Sequence, residues 1–367
     1  MDEKKYWVGF NHVRGIGAVR FQRLLECFGN LEKAWNAPEI ELKRAGIGDK
    51  SLVNLVRFRR EHDLDHIYEN ILKKDIKILT CMDDDYPQQL KQINNPPPVL
   101  YIKGEMVRED AHSVAVVGTR QITAYGKSLV QELGRVLAQN HITVISGLAR
   151  GVDAEAHRTA LEANGRTIAV LGCGIDIIYP PENRALASQI TEHGALISDY
   201  APGTQPEGIN FPPRNRIIAG LSLATIVVEA GARSGALITA SFAADQGKDV
   251  FAVPGSIYAP QSKGTNKLIF DGAYPLIRFD SIFEILGLDN VQYQKKTQSE
   301  LPTDEAQLLV LKILQKEALH IDDIQAISQL PIERVSSALS FLELEGFVQR
   351  TGNMTFSAIY DFKEEYS

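Results

Sequence analysis

Cations set beside glycines are the residues best equipped for chemistry in this chain. Arg120 closes Gly118-Thr119-Arg120, directly after the apolar run Ser113 to Val117. Arg150 lies in Ser146-Gly147-Leu148-Ala149-Arg150-Gly151, and Lys263 opens Lys263-Gly264-Thr265-Asn266. Arg214 and Arg216 flank Asn215 in Asn210-Phe211-Pro212-Pro213-Arg214-Asn215-Arg216, ahead of an apolar helix over Ile217 to Leu221. A guanidinium forks onto two phosphate oxygens, and amides exposed by glycine take further ones. Ser234-Gly235 fits the same chemistry, with Ser234 as an N-cap and Gly235 leaving the first amides of a helix open to an anion. Phe211 has two open readings. It stacks on a base, worth ~1–3 kcal/mol, or it plugs the core while the arginines bond to strand-end carbonyls or to Glu229. Acids in the same turns, Asp153, Asp176 and Glu229, are fewer. In a chain of net charge −7, cations gathered in such turns imply a phosphate or polyanion ligand.

Other chemistries find little support. There is no GxxxxGK[ST] loop, no GxSxG elbow and no paired metal carboxylates. Leu171-Gly172-Cys173-Gly174 lacks the third glycine of a dinucleotide fingerprint, so no cofactor is expected. Glu229 is the most obvious acid, and it reads as a partner that orients the arginines. Asp153 and His157 stand one helical turn apart. A hydrogen bond that holds the turn and a general base are the two roles open to His157. His62 and His66, with Asp63 and Asp65 between, lack a third ligand and read as a solvated helix end. Cys27, Cys81 and Cys173 are far apart, which fits a reducing compartment. Met1 to Lys5 is charged with no apolar segment behind it, and no apolar run reaches membrane-spanning length. A cytoplasmic protein without membrane contact is the expectation.

These turns need a scaffold. Strands are expected at Ile76 to Thr80, Val99 to Lys103, Val114 to Val117, Thr143 to Ser146, Thr167 to Leu171, Ala195 to Ser198, Ala224 to Val228, Val250 to Val253 and Pro275 to Ile277. From Val114 onward helices such as Tyr125 to Asn140 and Val152 to Ala163 alternate with them. That pattern predicts a Rossmann-like, doubly wound, mainly parallel α/β sheet over 76–287, whose ligand edge is the C-terminal end of the strands. Residues 1–75 read as a helical domain. Its Gly15-Ile16-Gly17 and Gly46-Ile47-Gly48 turns resemble helix-hairpin-helix or SAM-like modules, or else simply let helices pack closely. Residues 288–303 read as a linker. Residues 304–367 read as three helices and a hairpin around Gly352-Asn353, a winged-helix-like unit. Arg334 is the only cation on its third helix, so protein docking is as open as DNA reading.

Gly118-Thr119-Arg120, Ser146 to Asp153 with His157, Asn210 to Ser222, Glu229 to Ala240 and Phe251 to Ser256 together resemble the DprA/Smf family of bacterial DNA-processing proteins. The resemblance runs from Ser113 to about Leu286, and the flanking units fit that family's three-part layout. It implies a non-catalytic, cytoplasmic protein that binds and protects incoming single-stranded DNA in natural transformation. It also implies loading of RecA recombinase and a homodimer through the Rossmann-like domain. Arg120 matches the family's DNA-contact arginine, and Phe211, Arg214, Asn215 and Arg216 fall in its Asn-Phe-Pro-x-Arg-Asn segment. Two departures stand out: Asp199 and Ala201 replace an expected Glu and Pro, and Ala236 replaces an expected Ser. Two rivals remain at this point. One is a Rossmann-like nucleotide phosphoribohydrolase with Glu229 as its carboxylate. The other is a nucleotide-sensing regulator whose C-terminal unit binds duplex DNA.

Overall fold

The computed structural model describes residues 3–288, 304–314, 318–344, 348–352 and 354–358. The chain divides into two compact units, Met1–Leu288 and Asp289–Ser367. Beyond Leu288, the expected linker lies outside the described residues, as does Asn353 of the expected hairpin turn.

The first unit is built on nine strands: β1 (Lys77–Thr80), β2 (Val99–Gly104), β3 (Ser113–Val117), β4 (Thr143–Ser146), β5 (Thr167–Val170), β6 (Gly194–Ser198), β7 (Ala224–Val227), β8 (Asp249–Ala252) and β9 (Tyr274–Pro275). Their order is β1-β2-β6-β5-β4-β3-β7-β8-β9. Strands β3 to β9 pair in parallel, while β1 and β2 extend the β6 edge antiparallel. β3 is buried throughout, as a strand covered on both faces must be. The chain winds outward from it in both directions, to β4–β6 on one side and β7–β9 on the other. The crevice beyond the C-terminal ends of β3, β4 and β7 is therefore a topological switch point, where open α/β sheets bind ligands. The doubly wound, mainly parallel sheet expected from the sequence is present.

Helices cover both faces. On one, α8 (Ala124–Gln139), α9 (Val152–Glu162) and α14 (Asp280–Leu286) pack Val130, Leu133, Ala156 and Phe283 against Val114, Val116 and Ile226. On the other, α7 (Gln88–Lys91), α11 (Phe211–Leu221) and α12 (Ala236–Asp245) pack Leu90, Ile217, Ile218 and Ala240 against Ala115, Val117 and Val227. α10 (Arg184–His193) precedes β6, and α13 (Lys263–Phe270) lies between β8 and β9. α11 begins at Phe211, six residues earlier than expected. Pro212 and Pro213 fall in its first turn, where the missing N–H groups cost no helical bond.

Six helices precede the sheet: α1 (Lys4–His12), α2 (Ala18–Phe28), α3 (Leu31–Asn36), α4 (Glu39–Arg44), α5 (Asp49–Glu61) and α6 (Leu64–Leu72). Phe10 packs edge-on against Trp35 with ring centres 5.0 Å apart. This aromatic core continues into Ile78 of β1 and Tyr101 of β2. The Tyr101 hydroxyl donates to Asn11 Oδ1 at 3.0 Å, and Asn11 Nδ2 donates to the Asp199 carbonyl at 3.2 Å. The line drawn at 75/76 thus separates two layers that share one core. Asp65 pairs with Lys5 at 2.7 Å and Asp63 accepts from the Asp65 amide, so both acids between His62 and His66 have partners.

In the second unit, helices Glu305–Leu314, Ile321–Ser328 and Ile332–Leu344 enclose Leu311, Ile324, Val335 and Leu339. A three-stranded antiparallel sheet orders Leu319–His320, Thr355–Ala358 and Val348–Gly352. This is the winged-helix arrangement. Among the described residues no helix is long and apolar enough to cross a membrane.

Gly118 ends β3 at the switch point, where a Cβ would stand 2.5 Å from Val152 Cγ2 and 3.0 Å from the Glu229 carbonyl. Gly118→Ala should lower unfolding stability by ~1–3 kcal/mol through overpacking. Denaturant melts with the wild-type midpoint would show the site to be less tightly packed than described.

Candidate functional site

The strand-end turns after β3, β4 and β7 and the first turns of α11 and α12 enclose a cavity of about 800 Å³. Arg120, Arg214 and Arg233 border it, with Phe211, Tyr179, Asn215, Gln121, Gly118, Thr119, Ser234 and Gly235; Asp153 is its one acid. The sequence-predicted residues do not share one role.

Arg214 is 5% exposed. Its Nη1 donates to the Gly147 carbonyl at 3.0 Å and to the Val170 carbonyl, and its Nε donates to Asn215 Oδ1 at 3.1 Å. It spends its donors on strand-end carbonyls, a correction to its reading as a free phosphate fork. A buried guanidinium without acceptors would be too costly. Burial pushes the pKa of Asp153 up, while the Arg214 charge and the Gly147 amide, 3.1 Å away, pull it back. Burial lowers the pKa of Arg214, and Asp153 opposes that shift.

The glycines serve the same packing. A Cβ on Gly147 would stand 2.6 Å from Arg214 Nη2, and one on Gly172 would stand 2.7 Å from the Phe211 ring. Gly151, at φ +75°, presses against the Thr119 carbonyl, 2.3 Å from where its Cβ would be. Gly147 and Gly151 were expected to admit a ligand to the backbone; they admit the protein's own groups.

Arg216, two residues past Arg214 on α11, lies outside the cavity lining. It donates to Asp199 Oδ2 at 2.7 Å and to the Asn95 carbonyl at 2.8 Å. Asp199, a departure from the family pattern, is therefore its partner. Arg150 is exposed and pairs with Glu182, and it borders a smaller recess with Arg120, Tyr179 and Phe211. Lys263 begins α13 and is absent from the cavity wall. Asn210 braces its own loop: its carbonyl accepts from the Tyr200 hydroxyl at 3.0 Å, and its Nδ2 donates to the Gln205 carbonyl at 3.3 Å. Ser234 is not the N-cap. α12 starts at Ala236 with Gly235, already helical, as its N-cap, although Ser234 Oγ still accepts from the Ala236 amide at 3.4 Å.

Arg120 remains available. It is exposed, has no acceptor among the described residues, and its guanidinium lies 6.0 Å from the Phe211 ring centre. Arg214 lies 5.9 Å from the same centre and Tyr179 is 5.6 Å away. Arg233, which the sequence reading missed, is likewise exposed on the cavity wall without an acceptor among the described residues. Its signal was present: Gly231-Ala232-Arg233-Ser234-Gly235 is another cation in a glycine-bounded turn after a strand.

Glu229 does not orient arginines. Its carboxylate accepts from the Thr123 amide at 3.0 Å and the Thr123 hydroxyl at 2.5 Å, while Thr123 Oγ1 caps α8 at the Gly126 amide. A carboxylate serves well there because the helix end is electropositive. His157 is fully buried. Its Nδ1 pairs at 2.6 Å with Thr167 Oγ1, which itself donates to the Val144 carbonyl, so Nδ1 carries the proton. It thus holds strands β4 and β5 to α9, the structural one of its two readings.

The doubly wound sheet, with cations and an aromatic ring over the glycine turns at its switch point, places the chain among Rossmann-like proteins. The family model described as DNA recombination-mediator protein A matches residues 77–287, and that described as DprA winged helix domain matches 294–354. The chain is 37% identical to Protein Smf of Synechocystis sp., across 96% of this chain and 98% of that protein. It is 43% identical to DNA processing protein DprA of Bacillus subtilis, across 59% of this chain and 74% of that protein. The solved structure of DNA processing protein A from Streptococcus pneumoniae has a TM-score of 0.68 and 34% identity, covering 76% of this chain and 97% of that one. That of Helicobacter pylori, described for its single-stranded DNA binding mode, has a TM-score of 0.53 and 31% identity, covering 58% and 96%. The chain belongs to the DprA/Smf family of DNA recombination mediators.

Burial lowers the His157 pKa to about 3, with the Arg214 charge adding to the shift. Unfolded, the ring titrates near its ordinary 6.5. Between these values the unfolded chain binds a proton that the folded chain refuses. The neutral ring's contribution is therefore complete above pH 6.5 and is lost as pH falls toward 3, by at most ~1.4 kcal/mol per pH unit. Chemical denaturation across this range should show that slope in wild type and a shallower one in His157→Gln. Equal slopes would mean that His157 is protonated in the folded protein.

Proposed function

We propose that this protein binds single-stranded DNA in the cavity beyond β3, β4 and β7, without catalysis, and hands the strand to RecA recombinase in natural transformation. One observation carries the binding reading: Arg120 and Arg233 are exposed, without acceptors among the described residues, on a wall that holds one buried acid, beside Phe211 and Tyr179. Two available guanidiniums suit a phosphodiester chain, and the neighbouring rings suit its bases. The Helicobacter pylori relative described as binding single-stranded DNA supports the choice of strand. Glu229, the carboxylate a phosphoribohydrolase would need, is committed to Thr123. RecA delivery and a cytoplasmic setting are what membership of a recombination-mediator family suggests.

A homodimer through the Rossmann-like domain is part of this reading. Ile257, Tyr258, Phe270 and Ile277 are 72–90% exposed on α13 and the turns after β8 and β9. Large apolar side chains gathered at one edge of a sheet mark an association surface. A two-fold interface would cover both copies of that edge at once.

Arg120→Ala and Arg233→Ala should each weaken binding of a labelled oligothymidylate. Each should flatten the plot of log affinity against log salt by about 0.7, the value for one phosphate contact on a single strand. Affinity and slope unchanged in both variants would overturn the site. Phe270→Asp should convert a dimer into a monomer in light scattering while leaving the unfolding midpoint near that of wild type. A dimer that survives the change would place the interface elsewhere.

A further inference from the structure

A second basic hollow lies on the other side of α11. It has a volume of about 440 Å³ and is bordered by Arg20 and Arg23 of α2, Arg216 of α11, and Gly15, Gly46 and Asn95 among others, none of them acidic. Its geometry is tightly held. Ile16 and Ile47, the central residues of the two Gly-Ile-Gly turns, are 5% and 1% exposed and anchor both turns in one core. Arg20 Nη1 ties the turns together, donating to the Gly15 carbonyl and, at 3.0 Å, to Ser51 Oγ in the first turn of α5. Arg23 lies against Gly46, where a Cβ would stand 2.8 Å from Nη1. Its guanidinium is exposed with no acceptor among the described residues. Arg216 is a fixed wall, held by Asn95 and Asp199. α2 starts at a glycine N-cap with no capping side chain, and Gly17, Ala18 and Val19 of that start border the same hollow as the arginines.

We propose that this hollow is a second contact for the phosphodiester backbone of the strand that occupies the main cavity, an inference that rests on the function proposed above. Three features favour a polyanion. The wall carries the guanidiniums of Arg20 and Arg23, neither paired with a carboxylate among the described residues, beside that of Arg216, whose charge Asp199 already offsets, although the whole chain is negative. The glycines leave backbone and guanidinium accessible where side chains would cover them. The two hollows also adjoin across one helix: Asn215 lines the first and Arg216, the next residue, lines the second. A helix with its side chains is ~10–12 Å across, so a flexible strand leaving the main cavity reaches the second hollow within a few nucleotides. The helical layer then lengthens the DNA track as well as covering the sheet.

The test uses the full chain, with oligothymidylates of about 6 nucleotides, near the lower end of a single-fold site size, and strands several times longer. Arg23→Glu should leave short-strand affinity at the wild-type value. It should weaken long-strand binding several-fold and flatten its salt dependence by about 0.7. Arg23→Lys should restore most of the long-strand affinity, and since Arg23 holds no hydrogen bond among the described residues, neither change should move the unfolding midpoint. Arg23→Glu indistinguishable from wild type on long strands overturns the second contact, whatever Arg120→Ala does. A long-strand loss in Arg23→Glu alone, with Arg120→Ala and Arg233→Ala both silent on both lengths, supports the second contact and overturns the main-cavity assignment instead.

Discussion

The cavity exists because one guanidinium is buried. Arg214 sits beneath its floor and meets the Gly147 carbonyl, the Val170 carbonyl and the Asn215 side chain. Those acceptors belong to the ends of the paired strands β4 and β5 and to α11, so a single planar group pins the start of a helix that already packs on the sheet through Ile217 and Ile218 to the strand ends beside it. A charge out of water is tolerable only when its donors are satisfied and a counter-charge is near. Asp153, on α9, supplies that charge and also takes the Gly147 amide. The surrounding sequence follows from this requirement. Gly147 must lack a Cβ so that the guanidinium fits, and Gly172 must lack one so that Phe211 can lie over it.

Phe211 packs against the turns while leaving part of its ring at the cavity wall. Its ring lies near Arg214, close to Tyr179 and within reach of Arg120. Of the two readings open at the level of sequence, the structure shows the packing one, with the half-buried ring lying over Gly172, and the ring's use as a platform belongs to the proposed function. Cation–π attraction of ~0.5–1 kcal/mol at such exposed sites is enough to favour an orientation of Arg120 without binding it permanently. The arginine is positioned yet keeps its hydrogen-bond donors.

Much of this was legible in the residues alone. Short apolar runs place all nine strands of the large sheet within about two residues of where they lie, most clearly the central ones, since a strand buried on both faces must be apolar along its length. The position of β3 between β4 and β7 was not legible, because chain order carries no direct record of which side of a sheet each crossover takes. The site was legible as a set of turns and not as a set of roles. Reading α11 as starting at Ile217 treated Arg214 and Arg216 as one cluster. Once the helix is taken from Phe211, residues two apart point about 200° from each other at 3.6 residues per turn, and only one can face the cavity. The prolines concealed this, because they read as a loop although the first turn of a helix accepts them. Glu229 was misassigned for a related reason. A strand-end acid beside arginines in sequence is nearer in space to the start of the helix that follows β3.

Total charge is then a poor guide to what such a protein binds. Of the arginines that the sequence brings to the ligand edge, Arg214 and Arg216 are held by carbonyls and a carboxylate and Arg150 by Glu182, so they shape the surface without offering full charges to a ligand. Arg120 and Arg233 have no such partners among the described residues. An ion pair already formed must be broken before its cation can serve a phosphate, whereas an unpaired surface guanidinium exchanges only water. At physiological salt a carboxylate more than about 8 Å from this edge acts only weakly on an anion placed there, whatever the net charge of −7. Attraction at the edge therefore depends on a few cations that the fold leaves unspent. The same fold uses the remaining arginines, at the cost of burying them, to hold the turns on which those few are displayed.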